Sequence, residues 1–328
     1  MGLTSALAFA AAAAAALSWV ADVEATWTSP QIGMGWQWEL FFNTIPNVAT
    51  PNVPVWDIDP ERLVPSDIPV MMNALRALNR YIICYVNVGA LDPGAVDWNA
   101  FTAVTPTIID TVSLVWDFQY LLDIRRNETR ALIKARFQRM ASYGCHGIQT
   151  DNLDVYSLAN KFGLTVDNAV DYMKWISATV HSLGMAVGLK DCGNLVTPRN
   201  LVPVFDFAVV DSCADFTGMC AEFTPFIQAG KPVFAAEYTD AGSAGCPVVS
   251  SPASACATTN AQNFEGILKS CDLGPEWQGC QADAISHTTA NTRELSSTTR
   301  IISKFADAAS DTNHQSISHH HSQRRLQH

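Results

Sequence analysis

The chain has 328 residues and a formal charge of −11 at pH 7, with 48% hydrophobic and only 16% charged residues. One large core under a lightly charged surface fits that balance. The acidic excess excludes nucleic acid and anionic membranes as natural partners and favours a cationic ligand.

Residues 3–20 are almost wholly apolar, with alanine unbroken from Ala10 to Ala16 and no acid before Asp22. Val23-Glu24-Ala25 supplies modest side chains at the −3 and −1 positions of a cleavage site. Residues 1–25 therefore read as a secretory signal peptide, although the usual basic start is missing; an uncleaved anchor is the rival reading. Cleavage would remove Asp22 and Glu24 and leave a secreted, extracellular chain with no membrane contact, expected to be a monomer.

Short apolar runs at 36–40, 53–59, 80–88, 120–125, 147–151, 185–190, 205–211 and 231–238 read as eight strands. Continuous apolar runs belong to parallel strands covered on both faces. Helical periodicity occupies 67–79, 128–143, 167–183 and 223–229, with Gly144, Gly184 and Gly230 as stop signals, and a last helix is expected at 263–271. Strand, helix, glycine, strand is the rhythm of βαβ units, and eight of them predict an α/β fold of the closed (β/α)₈ (TIM-barrel) type. The first βα connection, 41–52, holds Pro46 and Pro51 and is expected to be irregular. A doubly wound sheet would carry a glycine-rich phosphate turn after an early strand, and none is present. The domains expected are the signal peptide at 1–25, the barrel at 26–285, and a Ser/Thr/His-rich extension at 286–328 that ends in a disordered tail.

Nine cysteines in a secreted chain imply disulfides with one thiol left over. Cys213/Cys220, Cys246/Cys256 and Cys271/Cys280 are near enough in sequence for local staples. Cys84 and Cys145 sit in or beside apolar segments and read as core thiols. Connectivity stays open. Zinc spacing is absent, so neither metal nor organic cofactor is expected. Asn127-Glu128-Thr129 is a glycosylation sequon.

The strand ends carry the chemistry. They hold Asp57 and Asp59, Asn87, Asp123 and Arg125, Asp151 with Asn152 and Asp154, Lys190 and Asp191, Asp211, and Glu237 with Tyr238. In a (β/α)₈ barrel the C-terminal strand ends form the active site. A ring rich in carboxylates suits glycoside hydrolysis, in which one carboxyl protonates the leaving oxygen and another attacks the anomeric carbon or activates water.

The stretch 144–154, Gly-Cys-His-Gly-Ile-Gln-Thr-Asp-Asn-Leu-Asp, resembles the "G-C-D-G-V-E-P-D-N-V-D" run of glycoside hydrolase family 114, the endo-α-1,4-polygalactosaminidases. Leu122-Asp123-Ile124-Arg125, Gly188-Leu189-Lys190, Phe205-Asp206-Phe207-Ala208-Val209 and Gly230-Lys231-Pro232-Val233-Phe234 with Glu237-Tyr238 are similar to further family strings, in the same order. The resemblance implies a barrel that cleaves α-1,4-linked galactosamine polymer, a cationic amino-sugar polysaccharide. It implies Asp151 and Asp211 as the catalytic pair, Asp151 as nucleophile or charge stabiliser and Asp211 as acid/base. Asp57, Asp59, Asp123, Asn152, Asp154, Lys190, Glu237, Tyr238 and Trp38 are expected to bind substrate, with the aromatic rings stacking on a pyranose. The family has Glu where this chain has Asp211, a side chain about 1.5 Å shorter, and a misplacement of ~1 Å can slow an enzyme ~100-fold. A weakened or non-catalytic carbohydrate-binding protein on the same barrel is therefore the alternative.

Overall fold

The computed structural model describes residues 26–113 and 119–281. The expected signal peptide and the C-terminal extension beyond 281 lie outside the described residues.

In chain order the elements are β1 (Trp36–Glu39), β2 (Val55–Ile58), α1 (Ile68–Ala77), β3 (Tyr81–Asn87), β4 (Ala90–Leu91), α2 (Trp98–Thr102), β5 (Ile109–Ser113), β6 (Tyr120–Leu122), α3 (Asn127–Tyr143), β7 (Gly147–Asp151), α4 (Val166–Ser182), β8 (Ala186–Lys190), α5 (Gly193–Val196), β9 (Phe207–Asp211), α6 (Thr224–Gln228), β10 (Val233–Tyr238), α7 (Pro252–Ala261), β11 (Glu265–Lys269) and β12 (Gln278–Gly279). The principal sheet runs β1-β2-β3-β7-β8-β9-β10-β11-β12. Its first eight strands are parallel and β12 is antiparallel to β11. The sheet curls until β1 and β11 lie side by side, where Trp36 Nε1 donates to the Glu265 carbonyl at 2.7 Å and Leu40 N donates to the Leu273 carbonyl at 3.1 Å. This is the expected α/β barrel, with an irregular first connection.

One of its eight parallel strands is not among those read from the sequence, and one strand that was read lies elsewhere. The run at 120–125 does not enter the barrel: β6 pairs antiparallel with β4 and β5 in a small separate sheet, and β3 pairs directly with β7. The eighth parallel strand is instead β11, in the segment expected to be a helix. Phe264, Ile267, Leu268 and Cys271 have helical spacing, yet five residues buried throughout form a strand. Its polar ends are satisfied within the fold: Lys269 Nζ donates to Gln37 Oε1 at 3.0 Å and to the Gly274 and Glu276 carbonyls, while Glu265 Oε1 accepts from Gly33 N. Sequence reading also passed over α7, which Ser251 caps, with Pro252 at its first position.

The long helices behave as their sequences dictate. α4 opens with a reciprocal capping box between Thr165 and Asn168, and α3 closes on Gly144 in the left-handed conformation (φ 87°). Two apolar layers result. Trp36, Val55, Ile83, Phe207, Val209, Phe234 and Ile267 fill the barrel interior, while Trp56, Ile82, Ile148, Val187 and Val210 face helical side chains such as Phe137, Met173 and Ile176. Alternate residues of one strand thus serve opposite layers.

Four disulfides join Cys84–Cys145, Cys213–Cys220, Cys246–Cys271 and Cys256–Cys280, leaving Cys192 as the buried free thiol. Only Cys213–Cys220 follows the local pairing expected. The other two staples cross because Cys246 and Cys256 are separated by the start of α7, while Cys271 follows β11 beside the loop after β10. Cys84 and Cys145 are bonded, not free core thiols, because β3 and β7 are neighbours.

Candidate active site

The C-terminal ends of the barrel strands open into a cleft of about 870 Å³. Asp151 ends β7 and Asp211 ends β9, and both line it. Each carboxylate accepts a hydrogen bond from a tyrosine on a neighbouring strand. Tyr85 OH donates to Asp151 Oδ2 at 2.9 Å, and Tyr238 OH donates to Asp211 Oδ2 at 2.9 Å. Asn152 Nδ2 reaches Asn87 Oδ1 at 3.0 Å and Gln119 Oε1 at 3.1 Å, tying the loop after β7 to the end of β3.

Lys190, at the end of β8, donates to Asp211 Oδ1 at 2.5 Å and also to Asp191. One ammonium thus serves two carboxylates. Burial pushes the Lys190 pKa down, but Asp191, Asp211 and Asp151 outweigh that and raise it well above the usual value. Burial also works to raise Asp211, yet Lys190 and the Tyr238 hydroxyl hold it below the ordinary carboxylate range. Asp191 is raised by burial and by the Asp211 charge, more than Lys190 offsets. The pair therefore retains one proton, resident on Asp191, at neutral pH.

Three strand ends turn by the same device. Asn152, Asp191 with Cys192, and Ser212 all occupy the left-handed region, at φ 59°, 53°, 57° and 56°. Non-glycine residues rarely adopt it, and each here directly follows a residue whose polar head faces the cleft. Gly89 permits the close approach that shapes the rim, since a Cβ there would stand 1.8 Å from the Asn152 carbonyl oxygen.

The cleft lining is acidic. Asp59, Glu61, Asp92, Asp154 and Asp272 join Asp151, Asp191 and Asp211, against Arg62, Arg136 and Lys190. Those cations are engaged: Arg136 with Asp97 at 2.7 Å, Arg62 with Asp59 at 3.4 Å. Burial raises Asp59 to about 7 and lifts Asp92 and Asp154 above the normal range, so further negative charge can develop when a cation arrives.

Of the residues expected from the sequence, Asp59, Asp151, Asn152, Asp154, Lys190, Asp211, Tyr238 and Trp38 line the cleft. Three do not. Asp57 is fully buried, one step below Asp59 on the same face of β2, and neither oxygen has a hydrogen-bond partner among the described residues. Burial and the nearby Asp151 charge raise its pKa well above normal, and it lies beneath the floor. Glu237 points to the opposite face from Tyr238 and accepts from Ala214 N at 3.0 Å. Asp123 follows β6, outside the barrel, where it forms a two-point ion pair with Arg125 and accepts from Thr129 through its carbonyl. The rings expected to stack on sugar are also nearly covered. Trp38 is 3% exposed, with Nε1 on Gln149 Oε1 at 2.9 Å, and Tyr238 is 1% exposed. Phe41, on the cleft wall, is 56% exposed, with the Arg62 guanidinium 4.8 Å from its ring centroid.

Sequence reasoning placed Asp191 at a strand end without giving it a role, and passed over Tyr85, Asp92 and Gln119. Tyr85 lies two residues before Asn87 on β3, the signal that could have exposed it. Asp92 and Gln119 come from the insertion around the small sheet and gave no signal. The one metal-like grouping among the described residues, Cys213, Cys220 and Glu237, has its two sulfurs joined and offers no thiolate.

Residues 18–288 match the profile of glycoside-hydrolase family GH114. The chain belongs to that family. This glycosidase is similar in fold to the crystal structure of Aspergillus fumigatus Ega3 in complex with galactosamine, with 22% identity, a TM-score of 0.68, and coverage of 78% of this chain and 98% of that one. It is similar also to the glycoside hydrolase domain of PelA from Pseudomonas aeruginosa, at 14% identity and a TM-score of 0.54, covering 73% of this chain and 95% of that one. No curated protein matches the glycosidase in sequence.

Proposed function

We propose that this glycosidase is a secreted, endo-acting enzyme that cleaves α-1,4-linked, galactosamine-containing polysaccharide, with Asp151 and Asp211 as its catalytic pair. The observation that carries the reading is that these two carboxylates, on β7 and β9, line one acidic cleft and are each held by a tyrosine hydroxyl. Family membership and the galactosamine bound to the fold relative support the substrate class.

Asp151, hydrogen-bonded by Tyr85, acts at the anomeric carbon as nucleophile or charge stabiliser. The proton shared by Asp191 and Asp211 passes to the glycosidic oxygen as the C–O bond breaks; burial and the mutual repulsion of the two carboxylates hold that proton on the pair against the opposing pull of Lys190. Asp59 and Asp154 take ammonium groups of the polymer, Asn152 holds a hydroxyl, and Trp38 and Tyr238 fix the floor. Asp57, Asp123 and Glu237 bind no sugar in this scheme. Secretion fits the four disulfides.

The test is oligosaccharide release from de-N-acetylated α-1,4-galactosamine polymer, lost in Asp151→Asn. Asp211, one methylene shorter than the Glu expected from the family, favours a second reading, a polymer-binding protein without hydrolysis. Tight binding by the wild-type chain with no product at any pH would establish it and overturn the first.

A further inference from the structure

Past Asp211 the cleft continues into a second cavity of about 380 Å³. Asp191, Asp211, Tyr238 and Ala244 border both spaces, so the proposed acid/base pair stands at the junction. An endo-acting glycosidase needs polymer units on both sides of the bond it breaks, and the two spaces provide them.

The two sides differ in chemistry. The main cleft brings six further carboxylates. The second cavity is walled by Phe216, Met219, Cys246 and Pro247, and the acids on its lining are the shared pair, already occupied by Lys190. An ammonium placed there would give up water without gaining a free counter-charge, which is unfavourable. An acetamido group would bury its methyl against the apolar wall. The wall is held in place from two directions. Cys213–Cys220 closes the loop that carries Phe216 and Met219, and Cys246–Cys271 ties the turn before Pro247 to the chain after β11.

We infer that this apolar arm is a subsite for an N-acetylated hexosamine unit, so that the enzyme cuts between a free-amine residue in the acidic cleft and an N-acetylated residue in the arm. The inference rests on the hydrolase reading above and adds that its substrate is a mixed, partly N-acetylated polymer.

The experiment digests partly N-acetylated α-1,4-galactosamine oligosaccharides, and the fully de-N-acetylated series of equal length, with the full chain. New reducing ends are labelled and fragments sequenced by mass spectrometry. The expected result is that the N-acetylated unit lies on the same side of every cut and that the fully de-N-acetylated series is cut ~10-fold more slowly, the scale of a filled apolar pocket. In Phe216→Asp that preference shrinks ~10-fold. Phe216 is 51% exposed, so the exchange leaves the fold intact, and the wild-type fragment pattern stands without it. Cuts with acetyl groups distributed at random, or an unchanged preference in Phe216→Asp, overturn the inference and leave the hydrolase reading standing. No cleavage of either series overturns both.

Discussion

Lys190 Nζ lies 2.5 Å from Asp211 Oδ1, across two neighbouring parallel strands. The same ammonium holds Asp191, the residue that follows it in the chain. With side chains 7% and 21% exposed, the Lys190–Asp211 pair is shielded from the screening that weakens surface ion pairs. Removing one partner of such a pair leaves an uncompensated buried charge, a loss of ~3 kcal/mol or more. Lys190→Met is therefore expected to lower stability on that scale in urea unfolding and to abolish measurable turnover. A variant as stable and as active as wild type would show the pair to be incidental.

The shared proton sets the alkaline limit of activity. Asp191 keeps its proton to about pH 8, and Asp211 remains ionised below that. As pH rises through this point the acid is lost, so kcat for polymer cleavage falls on the alkaline side. Asp191→Asn cannot hold the proton and leaves Asp211 ionised beside Lys190, with an expected loss of ~100-fold, the usual contribution of a general acid. A wild-type profile flat to pH 10, or full activity in Asp191→Asn, would remove Asp191 from the mechanism.

Asp211 fits the space that Lys190 and Tyr238 leave for it. Asp211→Glu pushes the carboxyl into both partners and is expected to lower kcat by ~10-fold or more, although it restores the residue type expected of the family. Kinetics on a short oligosaccharide decide the matter. A gain in rate would mean instead that Asp211 weakens the enzyme.

Glu237 carries the opposite lesson for stability. Burial raises it to about 8, and Oε2 has no partner among the described residues. A carboxyl whose folded pKa lies above its unfolded value stabilises the fold fully below the unfolded pKa, near 4.5, and loses that contribution as pH rises through the folded one. Asp57 adds to the same trend. Glu237→Gln keeps an acceptor for Ala214 N and cannot ionise. Its Tm is expected to match wild type at pH 4 and exceed it at pH 9. Equal melting curves at both values would place the charge of Glu237 elsewhere in the energetics.

The rim at Gly89 is a steric test of the same site. Gly89→Ala would set a Cβ 1.8 Å from the Asn152 carbonyl oxygen and force the loop after β7 outward. Overpacking of this kind costs ~1–3 kcal/mol. The expected result is that loss in thermal unfolding together with a fall in kcat, because Asn152 adjoins Asp151. A change in stability without one in kcat would detach that loop from the chemistry.

Much of the site was legible because barrel strands end in polar residues, and the order of those ends gave Asp59, Asp151, Lys190, Asp211 and Tyr238 without a structure. The misplacements have separate causes. Glu237 and Tyr238 are adjacent in sequence and therefore point to opposite faces, and nothing in the string tells which face is the cleft. Asp123 ends an apolar run like the others, but that run pairs antiparallel outside the barrel. The strand at 265–269 was hidden because five buried residues are too few to display a period, and Glu265 and Lys269 look solvent-exposed until their partners, far away in the chain, are known.

The sequence by itself determined the barrel rhythm, the family, the acidic character and the strand-end positions of Asp151 and Asp211, since these follow from local apolar patterning and from residue types at fixed offsets. Only the tertiary structure decided which strand closes the barrel, which cysteines meet, that one lysine holds two carboxylates, and that the cleft has an acidic and an apolar arm. Each of these depends on packing segments far apart in the chain, and pairwise contact, burial and charge exist only once that packing is made.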